Sequence, residues 1–210
     1  ILLLGLTGLI ASQPANACTG ITLKSKDGTT IVARTIEWGG SDLKSQYVIV
    51  PRGYAAQSYT PEGVNGMKFT ARYGYVGLAV EQKEFIAEGV NEAGLSAGLF
   101  YFPAYGEYEN YNAAEKDNTI SDLQLVSWIL GNCATLDEVK EAVKSVHVVN
   151  IDPRSSTVHW RFTDPAGKQL VLEITGQTPH FFENNLGVLT NSPGFEWQLT
   201  NLNNYVNLFP

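Results

Sequence analysis

The sequence has few positive charges and no cluster of them. It carries 14 Lys and Arg residues against 21 Asp and Glu residues, which gives a formal net charge of -7 over 210 residues. Nucleic-acid binding draws much of its affinity from basic side chains that displace counterions from the phosphate backbone. An acidic chain without a basic run lacks this source of affinity, so we expect no nucleic-acid partner.

Long apolar runs are also missing. Residues 1–10 (ILLLGLTGLI) are apolar, but a membrane helix needs about 20 such residues. This stretch is followed by Pro14 and by small residues at Ala15 and Ala17, which is typical of a secretory signal peptide and its cleavage site. We therefore expect residues 1–17 to be part of a signal peptide. The mature protein would begin at Cys18, cross the inner membrane, and reside in the periplasm or outside the cell with no membrane segment.

Histidine and cysteine are scarce, with three His and two Cys residues. His147, His159 and His180 show no spacing typical of metal ligands, so we expect no metal and no cofactor and interpret each as structural or solvent-facing. In an oxidising compartment Cys18 and Cys133 have two ordinary interpretations. They form one disulfide, or Cys18 is the lipidated first residue of a lipoprotein.

Hydrophobic residues make up 44% of the chain and charged residues 17%, a composition that favours one compact domain. Strand-like segments occupy 19–102 and resume over 157–189. Between them the period is helical: Ile120 opens an apolar stripe that predicts one helix, and Thr135 with Glu138 forms a capping box that predicts a second. Strands, a helical pair and further strands predict an α+β fold with antiparallel sheets covered by helices.

The segment after Cys18 predicts a β-hairpin. Residues 19–26 and 29–36 are rich in Thr, Ile and Val, and Asp27-Gly28 between them is a strong hairpin signal. With a two-residue turn, Cys18 faces Glu37 and Ile21 faces Arg34. Positions 34 and 37 then point to opposite faces, so we predict a bulge or strand end near 35–38 that lets both side chains reach Cys18.

An N-terminal cysteine can supply two reacting groups from one residue. The reference pKa of an α-amine is about 7.7 to 8.0 and that of a thiol about 8.5, so the amine can act as base for its own thiol near neutral pH. Arg34 near the sulfur would favour the thiolate, and the Glu37 carboxylate would orient the α-ammonium. The alternative interpretation of Arg34 and Glu37 is a surface ion pair on a strand edge.

Three separate segments carry a resemblance to a known family. The motifs CTGITLKSKDGTTIVARTIEW, NEAGLSAGLFYFP and GVLTNSPGFEWQLTNLNNY resemble, in this order, those of the choloylglycine hydrolase family, which contains penicillin V acylases and bile salt hydrolases. The resemblance covers residues 18–210. It implies an N-terminal-nucleophile hydrolase with a four-layer αββα sandwich of antiparallel sheets, assembled as a homotetramer, that cleaves linear amides of small-molecule acyl substrates.

The resemblance also implies roles for individual residues. Cys18 resembles the nucleophile, and Arg34 the arginine beside its sulfur. Glu37 falls where the family usually has aspartate. Asn191, within LTNSP, resembles the side-chain donor of the oxyanion hole, and Tyr101 resembles the residue whose backbone N–H is the second donor. The family has a further arginine in its C-terminal third, and we expect this chain to be truncated before it.

Tyr101 also bears on the substrate. In typical bile salt hydrolases this place holds asparagine and in typical penicillin V acylases tyrosine, so the resemblance favours a penicillin V acylase. Bile salt hydrolase and acyl-homoserine lactone acylase are the alternatives. Four further aromatic residues are candidates to line an acyl pocket, although aromatic residues in strands are commonly core. They are Trp38, Phe100, Phe102 and Tyr105.

A function of another class is also compatible with the residues. A secreted lipoprotein or binding domain would use Cys18 for acylation or for a disulfide and would carry out no chemistry. The state of Cys18 in the mature protein separates the two classes, because only the enzyme requires an unmodified thiol on a free N-terminal residue.

Overall fold

The computed structural model describes residues 18–37, 42–152 and 156–208. The predicted signal peptide and Trp38 lie outside the described residues. Within them the chain forms strands, three α-helices and short 3-10 turns. The strands are β1 (Thr19–Lys24), β2 (Thr30–Thr35), β3 (Gln46–Val50), β4 (Ala55–Gln57), β5 (Lys68–Thr70), β6 (Tyr75–Ala79), β7 (Ile86–Asn91), β8 (Ser96–Tyr101), β9 (Thr119–Ser121), β10 (His147–Val149), β11 (Val158–Thr163), β12 (Gln169–Thr175), β13 (Thr178–Glu183) and β14 (Val188–Thr190). The helices are α1 (Leu125–Asn132), α2 (Leu136–Lys144) and α3 (Phe195–Leu202).

Seven antiparallel strands form the large sheet at the centre of the molecule. Their order is β13-β12-β11-β8-β7-β6-β3. Side chains alternate between its two faces, as the period of a strand requires. Along β11, Trp160 and Phe162 join the main core, whereas His159 and Arg161 point to the opposite face.

Helices α1 and α2 cover the first face of this sheet. Helix α1 is buried along almost its whole length, and α2 buries Val139 and Val143 in the same core. Thr135 caps α2 as predicted, because its hydroxyl accepts the N–H of Glu138 at 3.2 Å. The preceding helix starts later than predicted. Ile120 lies in β9, which pairs in parallel with β10.

A second sheet, of order β14-β1-β2, packs on the other face of the large sheet. Phe100 and Val171 of the large sheet contact Leu189 of β14 and Phe195 of α3 in a small apolar cluster between the layers. Gly20 in β1 makes the close approach possible, because a Cβ at this position would lie 2.6 Å from the Phe100 ring. The predicted α+β architecture of antiparallel sheets and helices is confirmed.

The predicted register of the first hairpin is wrong by one residue. Gly20 faces Arg34 and Thr19 faces Thr35, because the loop has three residues rather than two. The N–H of Ser25 donates to the carbonyl of Thr29, and Gly28 adopts a φ of 89° that a glycine accommodates. The strand β2 ends at Thr35, within the interval where an irregularity was predicted.

The second sheet covers only part of the large one. Four apolar side chains on β3, β6 and β7 form an open face, with Tyr47 91% and Ile49 80% exposed. They share a face of the sheet because Ile49 pairs with Val76, which pairs with Val90. A hollow of about 910 Å³ separates this open face from β2. In the parts of the chain that the structure describes, no helix has the length and apolarity to cross a bilayer.

Candidate active site

Cys18 lies directly before β1, at the edge of a cavity of about 450 Å³. The residue is 6% exposed and packs into the apolar cluster between the two sheets. Arg34, Glu37 and Tyr101 line the same cavity. The structure therefore brings four of the predicted site residues together around one space. The rest of the wall is mainly apolar and includes Ile36, Leu43, Leu99, Leu123 and Val158.

The hairpin register explains how Arg34 reaches this cavity. Arg34 faces Gly20, so its side chain shares a face of the sheet with Gly20 and points into the space between the layers. There the pairing of β7 with β8 stops at Glu88 and Gly98. The guanidinium fills the gap and donates from Nη1 to the carbonyls of Ala87, at 3.2 Å, and Leu99. Arg34 thus satisfies two carbonyls that the parted strands leave without ladder partners.

Arg34 belongs to a largely buried charged group of three side chains, in which the Glu88 side chain is 20% exposed. Glu88 Oε2 lies 3.6 Å from Nη1 of Arg34, and Glu88 Oε1 accepts from Nη2 of Arg161 at 3.1 Å. Both guanidinium groups also lie over the Phe100 ring, at 4.2 Å and 5.3 Å from its centroid. Burial raises the pKa of Glu88, opposed by the two arginines, and burial lowers the pKa of Arg161.

Two cations and one carboxylate therefore share the interior beside the cavity. With all three groups ionised, this group carries one net positive charge close to the space that Cys18 borders. The structure thus places the Arg34 guanidinium in the wall of the cavity that Cys18 borders.

Glu37 follows the end of β2, and its exposed side chain lines the cavity. Because β2 stops at Thr35, the alternation of a strand no longer fixes the direction of Glu37. Arg34 and Glu37 thus border one cavity although they are three positions apart. The predicted strand end accounts for this arrangement.

Asn191 comes directly after β14 and meets the end of β8. The backbone N–H of Tyr101 donates to Oδ1 of Asn191 at 3.1 Å, and Asn191 is 8% exposed. Oδ1 of Asn191 thus accepts from the chain itself, and the side-chain nitrogen is the donor half of this amide. A substrate oxygen would engage the Tyr101 N–H only by sharing its hydrogen or after the amide moves.

Three of the four aromatic residues predicted to line an acyl pocket lie away from the Cys18 cavity, and the fourth, Trp38, lies outside the described residues. Phe100 and Phe102 are fully buried, and Tyr105 stacks on Phe102 with ring centroids 5.7 Å apart. None of the three is among the described residues that line the Cys18 cavity. Phe100 points to the face opposite Leu99 and Tyr101 and packs against the two arginines instead.

Asp122 is a cavity residue that sequence reasoning missed. It is fully buried in the short turn between β9 and α1, and its carboxyl accepts from the N–H of Leu123 at 2.9 Å and from Asn150 at 3.3 Å. Burial raises the pKa of Asp122 to about 7. No sequence signal marked this residue, because the segment was interpreted as part of a helical stripe.

The proposed disulfide is excluded by the positions of the two cysteines. Both are free thiols. Cys133 lies in the core under the helices, whereas Cys18 lies in the cluster on the opposite face of the large sheet. Burial raises the pKa of Cys133 to about 12. Cys133 is therefore a core residue with an inert thiol.

The three histidines are not cavity residues. His147 contacts Glu109 and Glu115, His159 is buried between β12 and β14, and His180 is exposed on β13. In the described ranges, no group of three His, Cys, Asp or Glu side chains is arranged to hold a metal ion.

Sequence comparison identifies relatives of this chain among known proteins. The bile salt hydrolase/transferase of Clostridium perfringens is 34% identical over 197 residues, which are 91% of this chain and 58% of that protein. The penicillin V acylase of Pectobacterium atrosepticum is 28% identical over 186 residues, which are 83% of this chain and 48% of that protein. The chain thus spans about half the length of these curated relatives.

Solved structures show the same fold. A mutant of the conjugated bile acid hydrolase from Clostridium perfringens superimposes with a TM-score of 0.79 at 32% identity, covering 91% of this chain and 58% of that one. The penicillin V acylase from Agrobacterium tumefaciens gives a TM-score of 0.78 at 23% identity with the same coverage, which bears on the fold alone. The family profile described as linear amide C–N hydrolases, choloylglycine hydrolase family, matches residues 18–210. The chain therefore belongs to the choloylglycine hydrolase family.

Proposed function

We propose that the complete protein hydrolyses linear amides with Cys18 as its N-terminal nucleophile. The observation that carries this proposal is the shared cavity. Cys18, Arg34 and Glu37 of the first hairpin and Tyr101 of the large sheet line one space with mainly apolar walls. Membership of a family of linear amide C–N hydrolases supports the same chemistry.

In the proposed reaction the α-amine of Cys18 accepts the thiol proton as the sulfur attacks the substrate carbonyl carbon. The tetrahedral intermediate then expels the amine of the substrate amide. This leaving amine takes the proton from the α-ammonium of Cys18, and a thioester remains on the Cys18 sulfur. Water, deprotonated by the same α-amine, hydrolyses the thioester and releases the acid. Glu37 would hold the α-ammonium, and Arg34 would favour the thiolate.

The proposed oxyanion contact comes first from the amide nitrogen of Asn191. The Tyr101 N–H orients this amide by binding its oxygen. As the negative oxygen develops, the Tyr101 N–H can share its hydrogen with it and become the second donor. Such donors stabilise the transition state more than the ground state, which is how they accelerate the reaction.

For the substrate, the first candidate is an acyl amide of the penicillin V type. Tyr101 at the end of β8 supports this choice, through the resemblance of its motif to penicillin V acylases. The mainly apolar cavity wall suits the burial of a hydrophobic acyl group.

Conjugated bile acids are the second candidate, because relatives named for them reach 34% identity and the penicillin V acylase 28%. A panel of penicillin V, glycine- and taurine-conjugated bile acids and an acyl-homoserine lactone, tested on the full-length protein, ranks the candidates by kcat/KM. If penicillin V has the highest kcat/KM, the first candidate is supported. If a bile acid conjugate has the highest kcat/KM, the second candidate replaces the first.

Mass spectrometry tests the nucleophile directly. The mature protein should begin with an unmodified Cys18, and quenching during turnover should leave an acyl adduct on this residue. A diacylglyceryl group on Cys18 would instead assign the protein to the lipoprotein class. A mature form that keeps residues ahead of Cys18 and still hydrolyses amides would refute the proposed base.

We also propose that residues 1–17 direct export and that the mature protein is a homotetramer outside the cytoplasm. The apolar segment and small residues before Cys18 support export. Cell fractionation and sedimentation of the full-length protein test these two statements separately.

A further inference from the structure

We propose that His159 and Glu173 form a buried positioning pair that sets where Asn191 lies. This inference rests on the proposed function, because it concerns the oxyanion contact of that reaction. The sequence indicated a structural or solvent-facing role for His159 and predicted no role for Glu173. Neither residue lines the Cys18 cavity, so each would act through Asn191 and not on the substrate.

The pair is held by contacts on every side. Nδ1 of His159 lies 3.0 Å from Oε1 of Glu173, and Nε2 lies 2.9 Å from the carbonyl oxygen of Thr190. The His159 side chain is 0% exposed and that of Glu173 5%. The imidazole thus joins β11 to β12 and to the last residue of β14, directly before Asn191.

The contacts fix where the protons lie. A carbonyl oxygen only accepts, so Nε2 of His159 carries a hydrogen and donates it to Thr190. Oε1 of Glu173 also accepts the N–H of Phe195 at 2.8 Å. A second proton must lie between Nδ1 and Oε1, because two lone pairs facing each other at 3.0 Å would repel. The pair therefore shares one proton, which an amide oxygen at 173 could not hold while it accepts the Phe195 N–H.

The same imidazole contacts both chain segments that meet at the oxyanion site. Phe102, next to Tyr101, stacks on His159 with ring centroids 4.3 Å apart and an interplanar angle of 7°. Thr190, next to Asn191, accepts from its Nε2. His159 is thus the common neighbour of the ends of β8 and β14, and Glu173 connects it to the first residue of α3. We infer that this arrangement holds the Asn191 amide against the Tyr101 N–H.

The informative variant is Glu173→Gln, which keeps the size of the side chain. A glutamine oxygen at 173 can accept the Phe195 N–H but has no proton to share with Nδ1 of His159. A neutral imidazole that donated from Nδ1 to this oxygen would no longer donate from Nε2 to Thr190. We expect kcat to fall by about 10- to 100-fold with KM nearly unchanged. A displaced Asn191 amide would stabilise the transition state less and would change substrate binding little. His159→Gln, whose amide can still donate to Thr190, should lose less. The matched control is His180→Gln, an exposed histidine that should leave kcat unchanged.

A double-mutant cycle with Asn191→Ala separates positioning from a merely structural role. If the pair acts through Asn191, Glu173→Gln should add little further loss of kcat once Asn191 is alanine. If Glu173→Gln lowered kcat by the same factor with asparagine at 191 as with alanine at 191, the proposal would be overturned. So would a variant that is less stable to heat but keeps the kcat of the wild type at a temperature where it is folded.

Two spectroscopic measurements cover the remaining outcomes. The wild-type protein should show a far-downfield proton resonance from the His159–Glu173 contact, and its absence would overturn the proposal even if the variants do not fold. If the full-length protein hydrolyses no acyl amide, the proposed function fails by itself. The pair is then judged by the side-chain amide resonances of Asn191, which must shift in Glu173→Gln and not in His180→Gln.

Discussion

A hydrogen bond of 3.1 Å joins the backbone N–H of Tyr101 to Oδ1 of Asn191, which is 90 positions further along the chain. The bond connects the last residue of β8, in the middle of the large sheet, to the residue that follows β14 of the second sheet. It also decides which half of the Asn191 amide is presented as a donor. The chemistry proposed for this protein depends on that orientation.

The first prediction follows from this orientation. Asn191→Ala in the full-length protein should lower kcat by about 10² to 10³, the usual effect of removing one oxyanion donor. Asn191→Asp should lose about as much, because a carboxylate still accepts the Tyr101 N–H but donates nothing. Steady-state kinetics measure both variants.

Asn201→Ala is the control for these asparagine variants, since Asn201 is exposed in α3. Its kcat should equal that of the wild type. An Asn191→Asp variant with unchanged kcat would show that the side-chain nitrogen does not contact the reacting oxygen.

The second prediction concerns the two thiols. One thiol per chain should react with a small electrophile in the native protein, and two after denaturation, because Cys18 borders a cavity and Cys133 is enclosed in the core. Peptide mapping should assign the native adduct to Cys18. Alkylation should abolish amide hydrolysis in proportion to its extent.

Cys133→Ala provides the matched comparison for Cys18→Ala. The Cys133 variant should keep its native thiol titre and its kcat while losing some stability, because a buried side chain becomes smaller. Loss of hydrolysis in the Cys133 variant at a temperature where it is folded would contradict the assignment.

The third prediction concerns the charge shared by Arg34, Glu88 and Arg161. Glu88→Gln leaves two buried guanidinium groups without a carboxylate, and we expect the free energy of unfolding to fall by about 3 kcal/mol. Chemical denaturation measures this change. Glu92→Gln removes one partner of an exposed pair with Arg52 and should change stability little. Equal effects of the two variants would contradict an important buried charge at Glu88.

The fourth prediction is a pH dependence from Asp122. Burial raises its pKa to about 7 in the folded protein, above the usual value of about 3.9. The folded state then binds the proton more tightly, so this group's contribution to stability is greatest below pH 4 and is lost as the pH rises to about 7. The free energy of unfolding should therefore fall less between pH 5 and pH 8 in Asp122→Asn than in the wild type.

Asp117→Asn, at an exposed position, is the control for this slope. It should reproduce the pH dependence of the wild type. If the Asp122→Asn slope also matches the wild type, the carboxyl of Asp122 titrates alike in the folded and unfolded chains.

Local sequence signals predicted the elements whose partners are close in the chain. The first hairpin and the capped start of α2 are examples, since Asp27-Gly28 and Thr135 with Glu138 act within a few residues. Even there the hairpin register was wrong by one position. Asp27 Oδ1 accepts the N–H of Thr29, which stabilises a three-residue loop. The dipeptide signal does not distinguish this loop from a two-residue turn.

Local sequence patterns did not predict the contacts between segments that are distant in the chain. Ile120 fits a helical stripe, but pairing of β9 with β10 places it in a strand. Phe100 suits an acyl pocket by residue type, whereas its face of β8 meets Arg34 and Arg161. His159 and Glu173 meet only because β11 and β12 are neighbours in the large sheet. The family motifs marked Cys18, Arg34, Glu37 and Tyr101, which do share one cavity.

The open face of the large sheet has a consequence for the chemistry. Arg34, Ile36 and Leu43 border both the hollow beneath that face and the cavity of Cys18. A polypeptide that filled this hollow to shield Tyr47 and Ile49 from water would therefore contact three residues that also wall the cavity of Cys18. Rates of the proposed hydrolysis should be compared only between preparations of the same association state.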